Sequence, residues 1–176
     1  KFESFLNSNF WPVNMEMLSA NINFNHYSSD PINITNNVKV ITSPHGHPGG
    51  ASSIRVEIDR FSVTYVTDCE HPVSHLNQNV IDIAKNTDIL IHDAQYTPEQ
   101  LPNHKGWGHS SWKHCTEVAI KAKAKKLVLF HHNPDHGDSI LEGIEQEAKK
   151  LFENTISARE GMEIFIPEEV SETVIL

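Results

Sequence analysis

Short apolar runs set off by turn residues, interleaved with stretches of helical periodicity, organise most of the chain beyond residue 37. Val38-Lys39-Val40-Ile41-Thr42 is the first run. Residues 53–58 and 61–66 follow, with Asp59-Arg60 between them, which predicts a hairpin. Val80, Ile81 and Ala84 recur at helical spacing within 75–85, and residues 88–91 then predict a buried strand ending in His92-Asp93. Trp112, Cys115, Val118, Ala119 and Ala122 share one face of a helix that begins near Ser110 and feeds a strand over 126–130. Ser139-Ile140-Leu141-Glu142 has the form of a capping box, opening a last helix with Ile140, Leu141, Ile144, Ala148, Leu151 and Phe152 as its apolar stripe. Residues 162–166 are the expected closing strand. Upstream the pattern weakens: residues 1–20 predict an aromatic-rich loop with a short helix near 15–19, and 21–25 alternate only faintly. Consecutive hairpin strands followed by strand, helix, strand, helix, strand predict an α/β fold, a mixed sheet covered by helices.

Size and charge narrow the function classes. The chain has 176 residues, enough for one core and one domain. A formal charge of −9 argues against sequence-independent binding to a nucleic-acid backbone, which needs a concentrated basic surface. The basic cluster Lys121-Ala122-Lys123-Ala124-Lys125-Lys126 reads as a solvated helix end rather than a binding patch. No run of apolar residues is long enough to span a bilayer, and no signal-peptide pattern is visible. The two cysteines, Cys69 and Cys115, suit a reducing compartment, so a cytoplasmic location is expected. Twelve histidines are the compositional anomaly.

Those histidines gather where strands run out. Ser43-Pro44-His45-Gly46-His47-Pro48-Gly49-Gly50 follows the first run, Thr67-Asp68-Cys69-Glu70-His71 follows the hairpin, and Phe130-His131-His132-Asn133-Pro134 ends a third strand. Alone, each has an ordinary explanation: His47 as a loop histidine beside turn glycines, Asp68 as a turn or capping residue, His131 and His132 as surface imidazoles. Together they place two imidazoles and a carboxylate at three strand ends. Neutral imidazoles as terminal ligands with a carboxylate able to bridge two cations form the donor set of a hydrolytic dinuclear site. Asp93 and His109 are a second tier, in which the carboxylate would orient the imidazole and raise its pKa for proton transfer to a leaving oxygen. Their ordinary reading is a strand-end acceptor and a helix entrance. Cys69 follows Asp68 and, by strand alternation, faces the core. Trp107, Trp112, Tyr96 and Phe10-Trp11 are either a base-stacking surface or, more simply, core filling.

Taken in order, His47-Pro48-Gly49-Gly50, Tyr65-Val66-Thr67-Asp68, His92-Asp93-Ala94-Gln95, Gly108-His109-Ser110-Ser111 and Leu129-Phe130-His131 resemble the later motifs of the metallo-β-lactamase superfamily. The likeness is to its phosphodiesterase branch around ribonuclease Z and cyclic-nucleotide phosphodiesterases, and it covers about residues 38–140. It implies an αββα sandwich and two divalent metal ions, zinc as the first expectation with manganese or iron as alternatives. His47, Asp68 and His131 would be metal ligands, Asp68 the bridge, and His109 oriented by Asp93 would assist the leaving group. A metal-bridged hydroxide would be the nucleophile. The superfamily's earlier His-x-His-x-Asp-His run is absent from residues 1–176. The expectation is therefore that this chain is the C-terminal portion of a single metallo-hydrolase domain whose N-terminal part carries the remaining ligands; a homodimer is also admitted. Residues 48–67 leave room for a hairpin but not for a tRNA-gripping arm, which with the acidic charge shifts the expected substrate from tRNA towards a small or cyclic phosphodiester. Two rivals stand beside this reading: a thioester or lactone hydrolase of the glyoxalase II type, and a metal-free, non-enzymatic fragment.

Overall fold

Alternation along the strands decides what each face of the sheet meets. A computed structural model describes residues 12–24 and 30–166. Within them lie β1 (Ile32–Asn33), β2 (Val38–His45), β3 (Ala51–Ile58), β4 (Phe61–Val66), α1 (Gln78–Ile83), β5 (Ile89–Asp93), α2 (Trp112–Ala122), β6 (Lys126–Phe130), α3 (Asp138–Leu151) and β7 (Thr155–Ser157). Single 3-10 turns occupy Met15–Met17 and Leu101–His104. The seven strands pair in sequence order, β1 to β4 antiparallel and β4 to β7 parallel.

The predicted hairpin is present, with Ile58 opposite Phe61 and Asp59 taking a left-handed conformation (φ 52°) at the turn. Asp tolerates that geometry because its short polar side chain can bond locally. Val66, Leu90, Leu127 and Leu129 are fully buried and pack on Val80 of α1, Val118 and Ala119 of α2 and Ile144 and Ala148 of α3 in one core cluster. The other side of the sheet is apolar as well. Ile54 pairs with Tyr65 and Ile58 with Phe61 across it, yet Ile54, Ile58 and Tyr65 are 39%, 45% and 39% exposed. A sheet apolar on both faces is the pattern of a layer made to be covered twice.

Several expectations need correction. The last helix starts at Asp138 with Gly137 as its N-cap and no side-chain cap, so Ser139 lies inside the first turn and the capping box with Glu142 does not form. Its apolar stripe is narrower than predicted, because Ile140 and Leu151 are 46% and 49% exposed while Ile144 and Ala148 are buried. The closing strand is Thr155–Ser157, not 162–166. The β-branched Thr155 and Ile156 pair with Leu127 and Val128, whereas Phe165 stands in solvent. The helix after the hairpin is shorter than 75–85, because Asn77 caps it by accepting from the Asn79 N–H. The α2 N-cap is Ser111, one residue beyond the predicted start. Residues 21–24 form no strand, and the aromatic stretch of residues 1–11 falls outside the described residues.

β2 and β4 are each antiparallel to β3 and so run the same way, as do β5 and β6 alongside β4. β2, β4, β5 and β6, together with β7, therefore end at one edge of the sheet, and the segments bearing His47, Asp68, Asp93 and His131 leave the sheet there.

Candidate metal centre

Asp68 lies two residues beyond β4 and His131 immediately beyond β6, and both take left-handed backbone, φ 53° and 57°. For residues with a Cβ that region costs roughly 1–2 kcal/mol, and strain of this kind gathers at functional sites. The turn brings their side chains together: His131 Nε2 is 3.6 Å and His47 Nε2 3.9 Å from the same atom, Asp68 Oδ1. His47, Asp68 and His131, singled out from sequence as ligands, thus converge on one carboxylate oxygen. Two imidazole nitrogens and a shared carboxylate suit a borderline cation such as zinc, and equally manganese or iron.

Asp93 and His109 stand beside them. Asp93 is fully buried, and its carboxylate accepts from His109 Nδ1–H at 2.8 Å and from the backbone N–H groups of Cys69, Gln95 and Ser110 at 3.2–3.3 Å. These bonds fix the carboxylate and, through it, the tautomer and ring plane of His109. The bond to Asp93 raises the His109 pKa above the ordinary imidazole value, with burial pulling the other way. The His109 ring stacks on His131 at 5.0 Å and meets His47 edge-on at 5.9 Å. Metal-capable atoms of His47, Asp68 and His109 lie within 4.8 Å of one another, and so do those of Asp93, His109 and His131.

Three residues that support this centre escaped sequence reasoning. His45, buried, bonds Ser53 Oγ through Nδ1 at 2.8 Å and the Asp68 carbonyl through Nε2 at 3.1 Å. A carbonyl only accepts, so Nε2 carries the proton and steadies the strained Asp68 backbone. Ser110 Oγ donates to the Cys69 carbonyl. Glu70 accepts from Gly106 N–H and Gly108 N–H, one bond to each carboxylate oxygen. The only signal for them was proximity to the motifs, since such backbone partners leave no pattern in a sequence. His132, paired with His131 in the sequence reading, belongs to neither metal-capable group; burial lowers its pKa. Of the aromatic candidates, Tyr96 is buried, stacking on His104 at 4.2 Å, and Trp112 packs on the core, while Trp107 is 61% exposed.

A second group of donors, Cys69, His71 and His92, also lies within 4.8 Å of one another, but wholly buried. Its tautomers do not suit a cation. His71 Nδ1 accepts from the Asn77 N–H at 3.0 Å, so its proton sits on Nε2. His92 Nδ1 donates to the Asp93 carbonyl at 3.0 Å, leaving a lone pair on Nε2. A metal-bound histidine offers one nitrogen to the ion and donates from the other, and His71 has that arrangement reversed. Neither Nε2 has a hydrogen-bond partner, although the two rings lie 5.4 Å apart.

The family described as beta-lactamase superfamily domain matches residues 7–132. The chain belongs to that family. The curated proteins it matches include several named ribonuclease Z. Ribonuclease Z of Archaeoglobus fulgidus is 41% identical over 95 residues, 52% of this chain and 29% of that protein. Ribonuclease Z of Bacillus velezensis is 33% identical over 91 residues, 51% of this chain and 30% of that protein. The chain thus spans about 30% of the length of these curated relatives. Among solved structures, the metallo-β-lactamase fold protein YhfI from Bacillus subtilis superposes with a TM-score of 0.64 at 21% identity, covering 77% of this chain and 53% of that one. Human tRNase Z, short form, gives 0.59 at 18% identity, covering 78% and 46%. These two likenesses establish the metallo-β-lactamase fold that the sequence motifs implied.

Proposed function

We propose that residues 1–176 carry the distal half of a dinuclear metal-dependent phosphodiesterase, the observation that carries this being the convergence of His47 and His131 on Asp68 beside the Asp93–His109 pair. His47, Asp68 and His131 would hold two divalent cations, zinc first, together with ligands from an N-terminal part bearing a His-x-His-x-Asp-His run. The apolar sheet face around Ile54, Ile58 and Tyr65 supports a second layer supplied by that part. When bound, the cations supply a water of lowered pKa and counter the charge on the phosphoryl oxygens.

The chain's own residues do the rest. Asp68 orients both imidazoles, and His45 keeps the Asp68 main chain in its strained turn. Asp93 holds Nδ1–H of His109 and raises its pKa, which favours the imidazolium; that form gives its Nε2 proton to the departing oxygen as the phosphorus–oxygen bond breaks and is left as the neutral Nδ1–H imidazole. A thioester or lactone hydrolase would use the metals without needing that proton donor.

Two observations pull the substrate in different directions. The curated relatives are named ribonuclease Z, which favours an RNA phosphodiester. The net charge of −9 and the short β3–β4 hairpin between His47 and Asp68 favour a small or cyclic one. The common chemistry is phosphodiester hydrolysis. The test uses the natural polypeptide containing these residues, with elemental analysis at neutral pH and parallel assays on bis-p-nitrophenyl phosphate, cyclic nucleotides, tRNA precursors, thioesters and lactones. Turnover of diesters with bound metal supports the reading; turnover of thioesters alone, or no metal at all, overturns it.

A further inference from the structure

Glu70 lies two residues beyond Asp68 and touches neither imidazole of the proposed metal set, yet it ties three parts of the site together. Its own N–H donates to the Gly46 carbonyl at 2.8 Å, joining the end of β4 to the loop that carries His47. The approach is so close that a Cβ on Gly46 would lie 2.6 Å from the Glu70 carbonyl oxygen. Its carboxylate reaches the other way, taking the Gly106 N–H on Oε1 at 2.7 Å and the Gly108 N–H on Oε2 at 2.8 Å. Bonds from an ionised carboxylate to backbone N–H groups are among the stronger hydrogen bonds a protein makes.

The segment it grips needs gripping. Gly106 and Gly108 both have positive φ, 80° and 92°, and Trp107 between them is largely exposed. Two glycines in three residues give this stretch more backbone freedom than residues with a Cβ would. Gly108 is also the place where the loop meets the metal set, since a Cβ there would overlap the His47 ring. The next residue is His109. Apart from Glu70, the loop is held by the Trp107 N–H bond to the His104 carbonyl at 3.2 Å, and His109 and Ser110 by the Asp93 bonds, the Ser110 bond to the Cys69 carbonyl and the Tyr96 N–H bond to the Ser110 carbonyl.

We propose that Glu70 is a positioning residue, a carboxylate clamp on the Gly106–Gly108 backbone that holds His109 at the leaving-group side of the site. The proposal rests on the phosphodiesterase reading for its kinetic consequence, but not for its structural one. Proton donation to a leaving oxygen depends steeply on angle and distance. Attack on phosphorus at the metal set takes no proton from this loop, which meets that set only by packing of Gly108 against the His47 ring. Loss of the clamp should therefore be felt where the leaving group needs a proton and hardly at all where it does not.

The experiment compares the natural polypeptide with Glu70→Gln, which places an amide N–H against one of the two glycine N–H groups, and with Glu70→Ala. Two methyl phosphate diesters serve as probes, one losing 4-nitrophenol, an acidic phenol, the other losing a simple alcohol. The clamp predicts a kcat loss of about tenfold or more on the alkyl ester, a loss of less than about threefold on the nitrophenyl ester, and unchanged metal content. Equal loss on both esters, or none on either, overturns it. A second readout stands apart from activity: hydrogen exchange at the Gly106 and Gly108 amides should accelerate at least about tenfold in both variants, and the NMR signal of His109 Nδ1–H should broaden or vanish. If those amides and that signal stay as they were, the clamp is wrong even in an active enzyme. If they change while the natural polypeptide cleaves no diester, the clamp stands and the phosphodiesterase reading falls.

Discussion

Two sets of histidines sit within a few residues of each other and have opposite fates. The outer set, His47, Asp68, His109 and His131, lies at the strand-end edge with ring nitrogens converging on one carboxylate. The inner set, Cys69, His71 and His92, is buried beneath it with its tautomers fixed by backbone groups. Neighbours in sequence divide between them: Asp68 is outer and Cys69 inner, Glu70 grips the outer loop and His71 is inner, His92 is inner and Asp93 partners His109. At His92 and Asp93 strand alternation performs this sorting; beyond Val66, where β4 ends, the left-handed turn at Asp68 does it, since parity alone would have put Cys69 on the face away from Val66 and the core. An imidazole is a ligand candidate where it keeps access and a free nitrogen, and a core residue where its neighbour's backbone has claimed the nitrogen it would need.

The largest effect that tests this division is on Asp68. Asp68→Ala should lower kcat/KM on a phosphodiester by about 10³-fold or more and reduce bound metal in elemental analysis. Cys69→Ala, one residue along, should leave metal content intact. If Cys69→Ala strips the metal, or Asp68→Ala spares it, the sets have been assigned the wrong way round.

His109→Ala comes next. It should cost about 10²–10³-fold in kcat, within the range of a lost general acid, with metal content close to that of the unaltered protein. Parallel loss of metal and rate would make His109 a ligand, as its closeness to His47 and Asp68 allows, and not the proton donor.

His71 and His92 should also titrate with the opposite sign to His109 in metal-stripped protein. Burial holds the His71 pKa down to about 2 and that of His92 to about 4, so the folded state refuses protons that the unfolded state accepts below about 6.5. Their contribution is complete above about pH 6.5 and is lost as pH falls towards the folded values, at up to about 1.4 kcal/mol per pH unit for each. His109, raised by Asp93, does the reverse: its contribution is present below the unfolded pKa and is lost as pH rises through the folded one. Denaturant titrations from pH 7 to pH 4 should show stability falling with acid, and His71→Phe should flatten that slope. An unchanged slope in His71→Phe would mean that the inner set is hydrated and titrates freely.

How much of this was legible in the sequence follows from the same alternation. The ligand candidates were readable because an apolar run followed within two residues by His or Asp announces a strand and the loop that leaves it; Cys69 is in the core as expected, but through the turn at Asp68 and not by strand parity, since β4 ends at Val66. His45 and Glu70 were not readable, because each acts on a backbone group that only the fold brings near, the Asp68 carbonyl for one and two glycine N–H groups for the other. The misplaced last strand has a related cause. Residues 162–166 have the apolar content of a strand, but Thr155–Ser157 leave α3 already alongside β6, and Glu145 of α3 accepts from the Ser157 N–H to hold them there. The capping box fails because Gly137 is the N-cap, two residues before Ser139.

The smallest effect sharpens the comparison most directly, because it separates strain from stability. His131 pays for its place in the outer set with left-handed backbone at φ 57°, whereas no member of the inner set is among the residues with positive φ. Glycine adopts that conformation without the Cβ clash, though it also loses more chain entropy on folding. His131→Gly should therefore raise the stability of metal-free protein by up to about 1 kcal/mol while removing a ligand and with it the metal. His131→Ala should lose the metal equally but gain no stability, since the strain stays. Chemical denaturation of both variants, stripped of metal, reads the difference. If glycine and alanine are equally stable, the turn at the end of β6 is relaxed, and the left-handed geometry shared by Asp68 and His131 is a consequence of where those strands end, with no cost borne for the site.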